Sequence, residues 1–343
     1  MAISVIPYTP DHAVPWDQFV RQHPHGSPFH LTAWMDSIVE TFGMPSVARL
    51  AVEDGRIRAV LPLFFIRNLL SGRALLSSPY AVYGGVLADS GESRAAMADH
   101  LRDLGASLGV QYIELRNAWP EQCLGFAPVS RYVTFTQALA ADEAKILEAI
   151  PRKTRRMVRI ALQQPFTSRP AGSDEAFWDL YSRNLRRLGT PCFPRRHFEN
   201  LRRCFGDQME IREVVLDGKV VAAVLNFFFR DQILPYYGAS DPAFNQFAPN
   251  NFMYFDLMRL SAARGVRLFD FGRSRMDSGS HDFKSHWGMQ VRELPYEMLL
   301  VKRQSLPHYS PDNPHFLWAI RAWQHVPLPL TRIIGPWLLK LVP

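Results

Sequence analysis

The stretch from Val214 to Gly238, VVLDGKVVAAVLNFFFRDQILPYYG, decides the fold of this chain. It predicts a long β-hairpin followed by a third strand. Asp217-Gly218 is the residue pair that most strongly favours a two-residue hairpin turn. Lys219 to Phe229 is almost unbroken in β-branched and aromatic residues, which is typical of a central strand buried on both faces. Arg230-Asp231 turns the chain again, and Gln232 to Tyr237 forms the third strand.

The same pattern occurs earlier in the chain. Ala51 to Arg67 reads AVEDGRIRAVLPLFFIR and aligns with Val214 to Arg230 at a constant offset of 163 residues. The Asp-Gly turn, the basic residue after it, the Phe-Phe pair and the closing arginine coincide. GVQYIEL (Gly109 to Leu115) likewise matches GVRLFDF (Gly265 to Phe271). Two copies are too few for a repeat array, so the pattern predicts an internal duplication into two domains of like fold.

Composition favours a soluble protein with an anionic partner. The 343 residues suffice for two domains, and 47% apolar and 21% charged residues are ordinary values for a globular protein. The formal charge of +7 and the pI near 9.4 favour phosphate, nucleotide, nucleic acid or acidic lipid as partner. A generally basic protein without such a partner is the alternative that charge leaves open.

The cysteines and the first residues bear on the compartment. Cys123, Cys192 and Cys204 are odd in number and lack Cys-x-x-Cys spacing, which favours a reducing compartment without disulfides or a zinc site. MAISVIPYTPDHAVPW lacks the basic region and apolar core of a signal peptide. No window holds the ~20 apolar residues that span a bilayer. We therefore expect a cytoplasmic protein, with peripheral contact at the inner face of the cytoplasmic membrane as the alternative.

The predicted elements follow the same order in both halves: strand, two helices, a three-strand meander, helix, strand. Between the halves, Asp142 is predicted to cap a short helix ending near Ile150, and Pro151 to begin a second helix over 152–163. After Val301 we expect a helix over 315–325 and then a proline-rich tail.

The second connecting helix gathers five cations in eight residues. They are Arg152, Lys153, Arg155, Arg156 and Arg159. The four arginines fall at i, i+3, i+4 and i+7, which is one helix face, while Met157, Ile160 and Ala161 face elsewhere and can anchor the helix. Like charges in such a row repel each other. We therefore expect a phosphate- or nucleotide-binding face, with a solvated charged face as the alternative.

Two stretches in the second half carry candidate catalytic groups. Asp270 to Arg275, DFGRSR, closes the late strand and puts Arg273 and Arg275 at the mouth of the sheet, unless an Asp–Arg pair only fastens the strand end. His281 to Gly288, HDFKSHWG, is predicted to be a catalytic or substrate-holding loop. The alternative is a surface loop with Phe283 and Trp287 packed inward, and the histidine spacing is not that of a metal site.

Two further positions are weaker candidates. Tyr236 and Tyr237 must point to opposite faces of a strand, so one hydroxyl can enter a cleft while the other packs; core packing of both is the alternative. Arg195 and Arg196 begin a helix near its positive end, where cations are unfavourable unless they share an anion.

The order of elements is that of the GNAT acyltransferase fold, and two copies joined by a basic helix resemble the FemAB-type peptidyl and aminoacyl transferases. Pro151 to Leu162, PRKTRRMVRIAL, resembles that family's linker signature, and DFKSHWG its Phe-Lys-x-x-aromatic-Gly signature. VYGGVLAD, NLRRLGTPCFPRRHF, NNFMYFDLMR and FDFGRS resemble the FemAB-like proteins of exosortase and PEP-CTERM exopolysaccharide systems. The resemblance implies an α+β chain of two tandem GNAT-like acyltransferase domains, over 1–140 and 165–303, with basic linker helices over 141–164 and a helical tail over 304–343.

The resemblance also implies an activity. It is direct transfer of an acyl or aminoacyl group to an amine of a cell-envelope or exopolysaccharide precursor, without a covalent enzyme intermediate. The donor is aminoacyl-tRNA or acyl-CoA, with no tightly bound cofactor and no metal. Neither donor is favoured, because the long helical arm associated with tRNA binding is missing, and Pro242 to Phe252 lacks the glycines of a pyrophosphate loop.

We expect the working cleft in the second half, with the first half as a structural and acceptor-binding partner. Lys284 occupies the family's lysine position and would stabilise the oxyanion or the donor phosphates. Tyr237 would protonate the leaving group, and Asp270 or Asp282 would orient the amine or accept its proton. The expected substrate- and donor-binding residues are Arg152, Lys153, Arg155, Arg156, Arg159, Arg195, Arg196, Arg273, Arg275 and Trp287.

Two alternative functions stay open. One is acyl-CoA-dependent acetylation of an exopolysaccharide amino sugar, and the other is a non-catalytic module that holds an anionic glycolipid. The apolar tail from His325 to Pro343 is expected to pack Ile333, Trp337 and Leu341 on the body, and peripheral membrane contact through 326–343 is the alternative.

Overall fold

The computed structural model describes residues 3–69, 72–276, 278–306 and 314–341, without the side chains of 314–317. The strands are β1 (Ser4–Pro7), β2 (Arg49–Glu53), β3 (Arg56–Leu61), β4 (Phe64–Asn68), β5 (Gly72–Leu76), β6 (Leu87–Ala88), β7 (Tyr112–Leu115), β8 (Ala127–Val129), β9 (Tyr132–Ala138), β10 (Thr167–Pro170), β11 (Met209–Leu216), β12 (Lys219–Phe229), β13 (Gln232–Ser240), β14 (Leu268–Arg275), β15 (Gln290–Glu293) and β16 (Tyr296–Leu300). The helices are α1 (Ala13–Gln22), α2 (Thr32–Phe42), α3 (Gly91–Leu108), α4 (Glu143–Ala149), α5 (Arg152–Leu162), α6 (Glu175–Leu188), α7 (Arg195–Phe205), α8 (Pro249–Ala263), α9 (Gly279–Ser285), α10 (Pro314–His325) and α11 (Leu328–Leu339).

The chain divides into two compact units. Unit 1 holds Met1–Arg131, Glu293–Ser310 and Lys340–Pro343, and unit 2 holds Tyr132–Arg292 and Pro311–Leu339. These limits differ from the predicted boundaries at 140, 164 and 303 because two strands pair away from their own half of the sequence. Strand β9 follows the first half but pairs with β14 in unit 2, and β16 follows the second half but pairs with β7 in unit 1.

Both hairpins form around the predicted Asp-Gly turns. Asp54 and Gly55 have φ values of 50° and 75°, and Asp217 and Gly218 have values of 50° and 76°. Two consecutive positive φ angles define the type I′ turn that matches the twist of a two-residue hairpin. A β-bulge also recurs at the matching place, since Arg58 of β3 and Val221 of β12 are the extra residues opposite Ala51–Val52 and Val214–Val215. The duplicated sequence thus produces a duplicated backbone geometry.

Unit 2 is built on one sheet, whose described strands run in the order β10-β11-β12-β13-β14-β9-β15. Its core includes Val224 in β12, Phe269 in β14 and Phe255 in α8. Strands β13 and β14 are parallel and pair only at Gln232 with Leu268 and Ile233 with Phe269. Beyond these pairs the two strands diverge toward their carboxyl ends, which is where open α/β sheets place ligands.

Unit 1 splits the equivalent strands between two sheets. Their described strands run β1-β2-β3-β6 and β4-β5-β7-β16-β8. Pro62 separates β3 from β4, whereas Leu225, at the matching position of the second copy, continues β12 and has a bulge in its partner strand. Proline lacks the N–H that a central strand must donate, which explains the break.

One segment differs from the expected structure, and the C-terminal tail forms helices α10 and α11, as expected. The stretch containing HDFKSHWG forms the short helix α9, capped by the Ser278 side chain, in place of a loop. The proline-rich tail forms helix α11, which includes Pro336. Pro329 lies in the first turn of α11, where a missing N–H costs nothing. Residues 307–313 and 342–343 of the predicted tail lie outside the described residues.

Candidate active site

The end of strand β14 in unit 2 is the centre of the site. Gly272 has φ +66°, and the pairing of β14 with β9 shifts by one residue between Asp270 and Gly272. The Asp270 carboxylate, 5% exposed, accepts hydrogen bonds from Gly272 N at 2.7 Å and from Thr134 Oγ1 at 3.2 Å. Asp270 therefore fastens the bulge, so its shape depends on a buried carboxylate.

Lys284 of α9 reaches back to this bulge. Its Nζ donates to the carbonyl oxygens of Phe271 at 2.6 Å, Gly272 at 3.1 Å and Arg273 at 3.1 Å. An ammonium has three donors, so the backbone takes all three. Burial lowers the pKa of Lys284 from 10.5 to about 8, with Asp270 opposing the shift and Arg273 adding to it. A pKa near the working pH suits a group that exchanges charge or a proton during a reaction.

The other side chains of α9 and its flanks divide between solvent and core. Asp282, predicted to be catalytic, is exposed, and its carboxylate lies 3.7 Å from His281 Nδ1. Trp287, predicted to hold substrate, is fully buried, and its ring packs against Tyr254 and Phe271. Trp287 thus anchors the helix by apolar burial, as in the inward-packing alternative.

Helix α9 is joined directly to the basic helix α5. Gly288 has φ +72°, and a Cβ atom there would lie 2.8 Å from both Cγ and Cδ of Pro151. Thr154 Oγ1 donates to the carbonyl oxygen of His286 at 2.6 Å. The two sequence signatures, PRKTRR and DFKSHWG, therefore form one packed structure in unit 2. Neither Thr154 nor Gly288 was predicted as a contact, because their roles depend on contacts distant in sequence.

The five cations of α5 lie on its outer side. Arg152, Lys153, Arg156 and Arg159 are exposed and Arg155 is half-buried, while Thr154, Val158 and Ala161 face inward. The buried anchors thus include Thr154 and Val158 in place of the predicted Met157 and Ile160, which are half-buried. In the described part of the chain, no ion pair includes any of the five cations. Cations near a helix N-terminus are repelled by the positive end of the macrodipole and by one another. An anion bound there would reduce both of these repulsions.

The remaining predicted arginines have local partners. Arg195 forms an ion pair with Glu199 at 3.1 Å, one turn along α7. The Arg273 guanidinium lies 4.4 Å from the ring centroid of Tyr132, and the backbone of Arg275 pairs with that of Tyr132 in the sheet. Arg196 is exposed beside Arg195. These contacts leave α5 as the stronger candidate for anion binding.

Tyr237 lies in an aromatic cluster and not at an open surface. It is 7% exposed, with its ring centroid 5.3 Å from Phe193 and 5.5 Å from Phe198. Its hydroxyl is 3.2 Å from Nε2 of His197, whose pKa burial lowers from 6.5 to about 3, so this imidazole is neutral. Tyr236, the extra residue of the β13 bulge, is the more exposed tyrosine. His197 was not predicted, although it directly follows the arginine pair at the start of α7.

A separate cavity lies in unit 1. It has a volume of about 520 Å³, and its lining includes His23, His25, Arg94 and Glu121 but no predicted site residue. Among the residues that the structure describes, no group of three or more His, Cys, Asp or Glu side chains could hold a metal ion. Within the same ranges, no helix combines the length and apolar character needed to cross a bilayer.

Comparison with solved structures supports the tandem fold. The chain is similar to FemX, with a TM-score of 0.70 and 17% identity over 87% of this chain and 98% of that one. It is similar to L-PGS from Bacillus licheniformis, with a TM-score of 0.57 and 13% identity over 95% and 97% of the two chains. A tandem GNAT protein from the clavulanic acid biosynthesis pathway gives a TM-score of 0.54 at 13% identity over 88% and 100%.

Comparison of sequences adds the domain family. The chain is 28% identical over 109 residues to the Lipid II:glycine glycyltransferase of Staphylococcus epidermidis, which is 30% of this chain and 26% of that protein. It thus spans about a quarter of the length of this curated relative. Residues 144–285 match the family described as "Acetyltransferase (GNAT) domain". The matched residues include helix α5, the split strands and Lys284, and they lie in an α+β chain whose fold is similar to that of tandem GNAT structures.

Proposed function

We propose that this protein is an N-acyltransferase that moves an acyl or aminoacyl group directly onto an amine, with its working site in unit 2. The observation that carries the proposal is the Lys284 ammonium, held on three carbonyls at the end of β14 with its pKa lowered to about 8. The GNAT match across 144–285 includes this site. No covalent intermediate is needed, since the amine itself can attack the donor's carbonyl carbon.

Each step of such a transfer has a candidate group. The attacking amine must be neutral, the carbonyl oxygen gains negative charge, and the leaving oxygen or sulfur takes a proton. Lys284 supplies the positive charge by exchanging one of its carbonyl contacts for the oxyanion or for a donor phosphate. Asp270 keeps the bulge in shape, and exposed Asp282 remains a candidate acceptor of the amine proton.

Two tyrosines of β13 are candidates to donate the proton to the leaving group. Tyr237 holds its hydroxyl against the neutral His197 imidazole, which fixes the direction of the hydroxyl. Tyr236 is nearer to solvent on the same strand. We assign the role of general acid to Tyr237 and the role of orienting its hydroxyl to His197. Comparing the turnover of Tyr237→Phe with that of Tyr236→Phe separates the two tyrosines.

The cations of α5 are proposed to bind phosphates of the donor or acceptor. Both candidate donors, aminoacyl-tRNA and acyl-CoA, carry phosphates, and so do lipid- and nucleotide-linked sugars. The name of one relative, Lipid II:glycine glycyltransferase, favours an aminoacyl group as the transferred group and a lipid-linked precursor as the acceptor. We propose an amine of a cell-envelope or exopolysaccharide precursor, of the PEP-CTERM/exosortase type, at the inner face of the cytoplasmic membrane.

Two alternatives are distinguished by ligand. An acyl-CoA-dependent acetyltransferase of an exopolysaccharide amino sugar would be saturated by CoA esters without tRNA. A non-catalytic module would bind an anionic glycolipid tightly and show no acyl turnover, and its binding would survive Tyr237→Phe.

The test combines ligand-induced stabilisation with turnover. The melting temperature of the purified protein is measured with acetyl-CoA, longer acyl-CoAs, an aminoacyl-tRNA pool, and UDP- or polyprenyl-linked amino sugars, because a ligand of the native state raises it by mass action. The same screen is run on Arg155→Ala/Arg156→Ala and on the matched control Arg56→Ala/Arg67→Ala, which removes two exposed cations from unit 1.

Stabilisation by one donor class, lost in the α5 variant and kept in the control, supports the proposal and names the donor. Transfer of that donor's labelled acyl group to an amine then completes the assignment. Stabilisation by a glycolipid alone, with no acyl transfer from any donor, would contradict the acyltransferase proposal and support the non-catalytic binding module.

A further inference from the structure

Helix α11 has two faces of different character, and its apolar face is the outer one. Thr331 and Gly335 are buried, whereas Leu330, Ile333, Ile334 and Trp337 are exposed at i, i+3, i+4 and i+7. Ile333 is 65% and Trp337 71% exposed. A helix on a soluble body normally turns such an apolar stripe inward. The expectation that Ile333 and Trp337 pack on the body is therefore corrected by the structure.

The inner face holds α11 firmly on unit 2. The guanidinium of Arg332 donates to Ser182 Oγ at 3.0 Å and lies 4.4 Å from the ring centroid of Trp178, both on α6. A Cβ atom on Gly335 would lie 3.0 Å from Cys192 N, so the helix approaches the 190–193 segment as closely as a glycine permits. Because these polar and close contacts fix the rotation of α11, the outward direction of the apolar stripe is built into the fold.

Helix α10 presents a complementary outer face. Trp318, Arg321, Ala322 and His325 are exposed and again follow i, i+3, i+4 and i+7 spacing. The inner side of α10 meets α6, where Gln324 Nε2 donates to the carbonyl oxygen of Arg187 at 2.9 Å. The two helices together thus expose two tryptophans, a cation and a branched apolar stripe.

The charge of this segment selects its partner. Residues 314–343 contain no Asp or Glu, and of their cations Arg321 is exposed and Lys340 is half-buried, whereas Arg332 lies on the inner face and pairs with Asp179 of α6. Two copies of an acid-free basic surface would repel each other, which argues against self-association. Tryptophan rings favour the boundary between headgroups and acyl chains, and a basic helix with an apolar face lies in the plane of an anionic membrane with that face inserted by ~5–10 Å.

We propose that the outer face of α10 and α11 is a docking surface for an anionic lipid bilayer, entered by Ile333 and Trp337 and flanked by Arg321. The protein then lies on the membrane and does not cross it. This inference stands on the exposed apolar stripe and on the basic charge of the segment, and a failure of the acyltransferase assignment would leave it intact.

The experiment is co-sedimentation of the full chain with vesicles. One set consists of equal parts phosphatidylglycerol and phosphatidylcholine, and the other of phosphatidylcholine alone. We expect binding to the anionic vesicles that weakens with added salt, and at least about tenfold less bound protein for Ile333→Asp/Trp337→Asp. Val14→Asp is the matched control, because Val14 is an equally exposed apolar residue, 69% exposed, in helix α1 of unit 1. This variant should bind like the wild type.

A second measurement does not depend on introducing a charge. Brominated lipids should quench part of the tryptophan fluorescence of bound protein, and Trp318→Phe/Trp337→Phe should remove most of that quenching while the protein still binds. Equal sedimentation of the wild type and Ile333→Asp/Trp337→Asp would overturn the proposal. A second outcome would also overturn it: the wild type binds no vesicles, sedimentation velocity shows that it is a dimer, and Ile333→Asp/Trp337→Asp dissociates this dimer. The face would then be an interface between two copies of the chain.

Discussion

The two copies of the fold begin alike and end differently, and the difference lies at the pair of parallel strands. In unit 1, β5 and β7 pair up to Leu76 and Glu114, and the contact continues because Ser77 N donates to the Glu114 carbonyl oxygen at 2.9 Å. The buried Arg116 guanidinium then bonds the carbonyl oxygens of Ser78 and Ala81. In unit 2, β13 and β14 separate after two residue pairs.

The comparison shows that Arg116 closes the strand ends of one copy, while the parallel strands of the other copy stay apart. The Arg116 guanidinium satisfies the carbonyl oxygens that follow β5, so a side chain of unit 1 itself occupies the region beyond the two strands. In unit 2 the same region carries Gly272 with its positive φ and receives Lys284 from α9, a helix absent from the first sequence copy. Arg116 also pairs with the Glu114 carboxylate at 2.9 Å, whereas Lys284 bonds backbone carbonyls and has no ion pair among the described residues. We therefore propose that the charge of Lys284 is the one available to a substrate.

The largest expected effect tests the closed copy. Arg116→Met should lower the free energy of unfolding by about 3 kcal/mol, because it leaves the Glu114 carboxylate and two carbonyls without their buried cation. Urea unfolding measures this change. Arg102→Met, which removes an exposed pair with Asp99, is the control and should cost below about 1 kcal/mol. Equal losses of unfolding free energy in Arg116→Met and Arg102→Met would show that Arg116 does not close unit 1. An unchanged turnover number in Arg116→Met would show that the closure serves stability and not the reaction.

The next effect tests the open copy. Lys284→Ala should reduce the turnover number by a factor of ~100 or more, because the transition-state charge loses its partner. Lys219→Ala, an exposed lysine of the β12 hairpin, should leave turnover unchanged. A Lys284→Ala protein that melts as the wild type and keeps its rate would remove Lys284 from the mechanism.

The pH profile sharpens the same assignment. Because the charged form is required, the turnover number should fall about tenfold per pH unit above the Lys284 pKa of about 8. Lys284→Arg stays charged and should lack this descending limb at its lower overall rate. The same pKa shift also affects stability. Lys284 has a lower pKa in the folded chain than in the unfolded chain, so the unfolded chain binds the lysine proton more tightly. The unfolding free energy of the wild type should therefore rise, relative to Lys284→Arg, between pH 8 and 10.5. A flat rate profile in the wild type would contradict a charged lysine.

The smallest expected effect tests the junction of α9 with α5, which unit 1 lacks. Gly288→Ala should cost about 2 kcal/mol, because the new methyl group meets Pro151 and the positive φ disfavours any side chain. Gly279→Ala, at the start of α9 with open space around it, should be nearly neutral. Thermal unfolding compares the two, and a similar small shift for both would mean that the two signatures are not tightly packed together.

Much of this architecture was predictable from local sequence signals. Asp54-Gly55 and Asp217-Gly218 form the predicted turns because two consecutive positive φ angles are cheapest for those residues. Asp142 caps α4 through a hydrogen bond to Lys145 N at 3.0 Å, as its position indicated. Three arginines of the row in α5, Arg152, Arg156 and Arg159, are exposed, and the fourth, Arg155, is half-buried.

The site was less predictable because its decisive contacts join residues far apart in sequence. His197 meets Tyr237 across 40 residues, and Thr154 meets His286 across 132. Trp287 lies in a motif rich in polar groups, yet apolar burial decided its position. No periodicity or spacing in one sequence reports such pairings.

The sequence by itself determined the duplicated hairpins, the helices around them and the basic face of α5, since turn chemistry, periodicity and charge spacing act within a few residues. Only the tertiary structure decided that β9 and β16 pair away from their own copies, that Lys284 rests on the carbonyls of β14, and that α11 turns its apolar stripe outward. Those outcomes depend on which surfaces meet after collapse, where packing and hydrogen-bond satisfaction over the whole unit outweigh local preference.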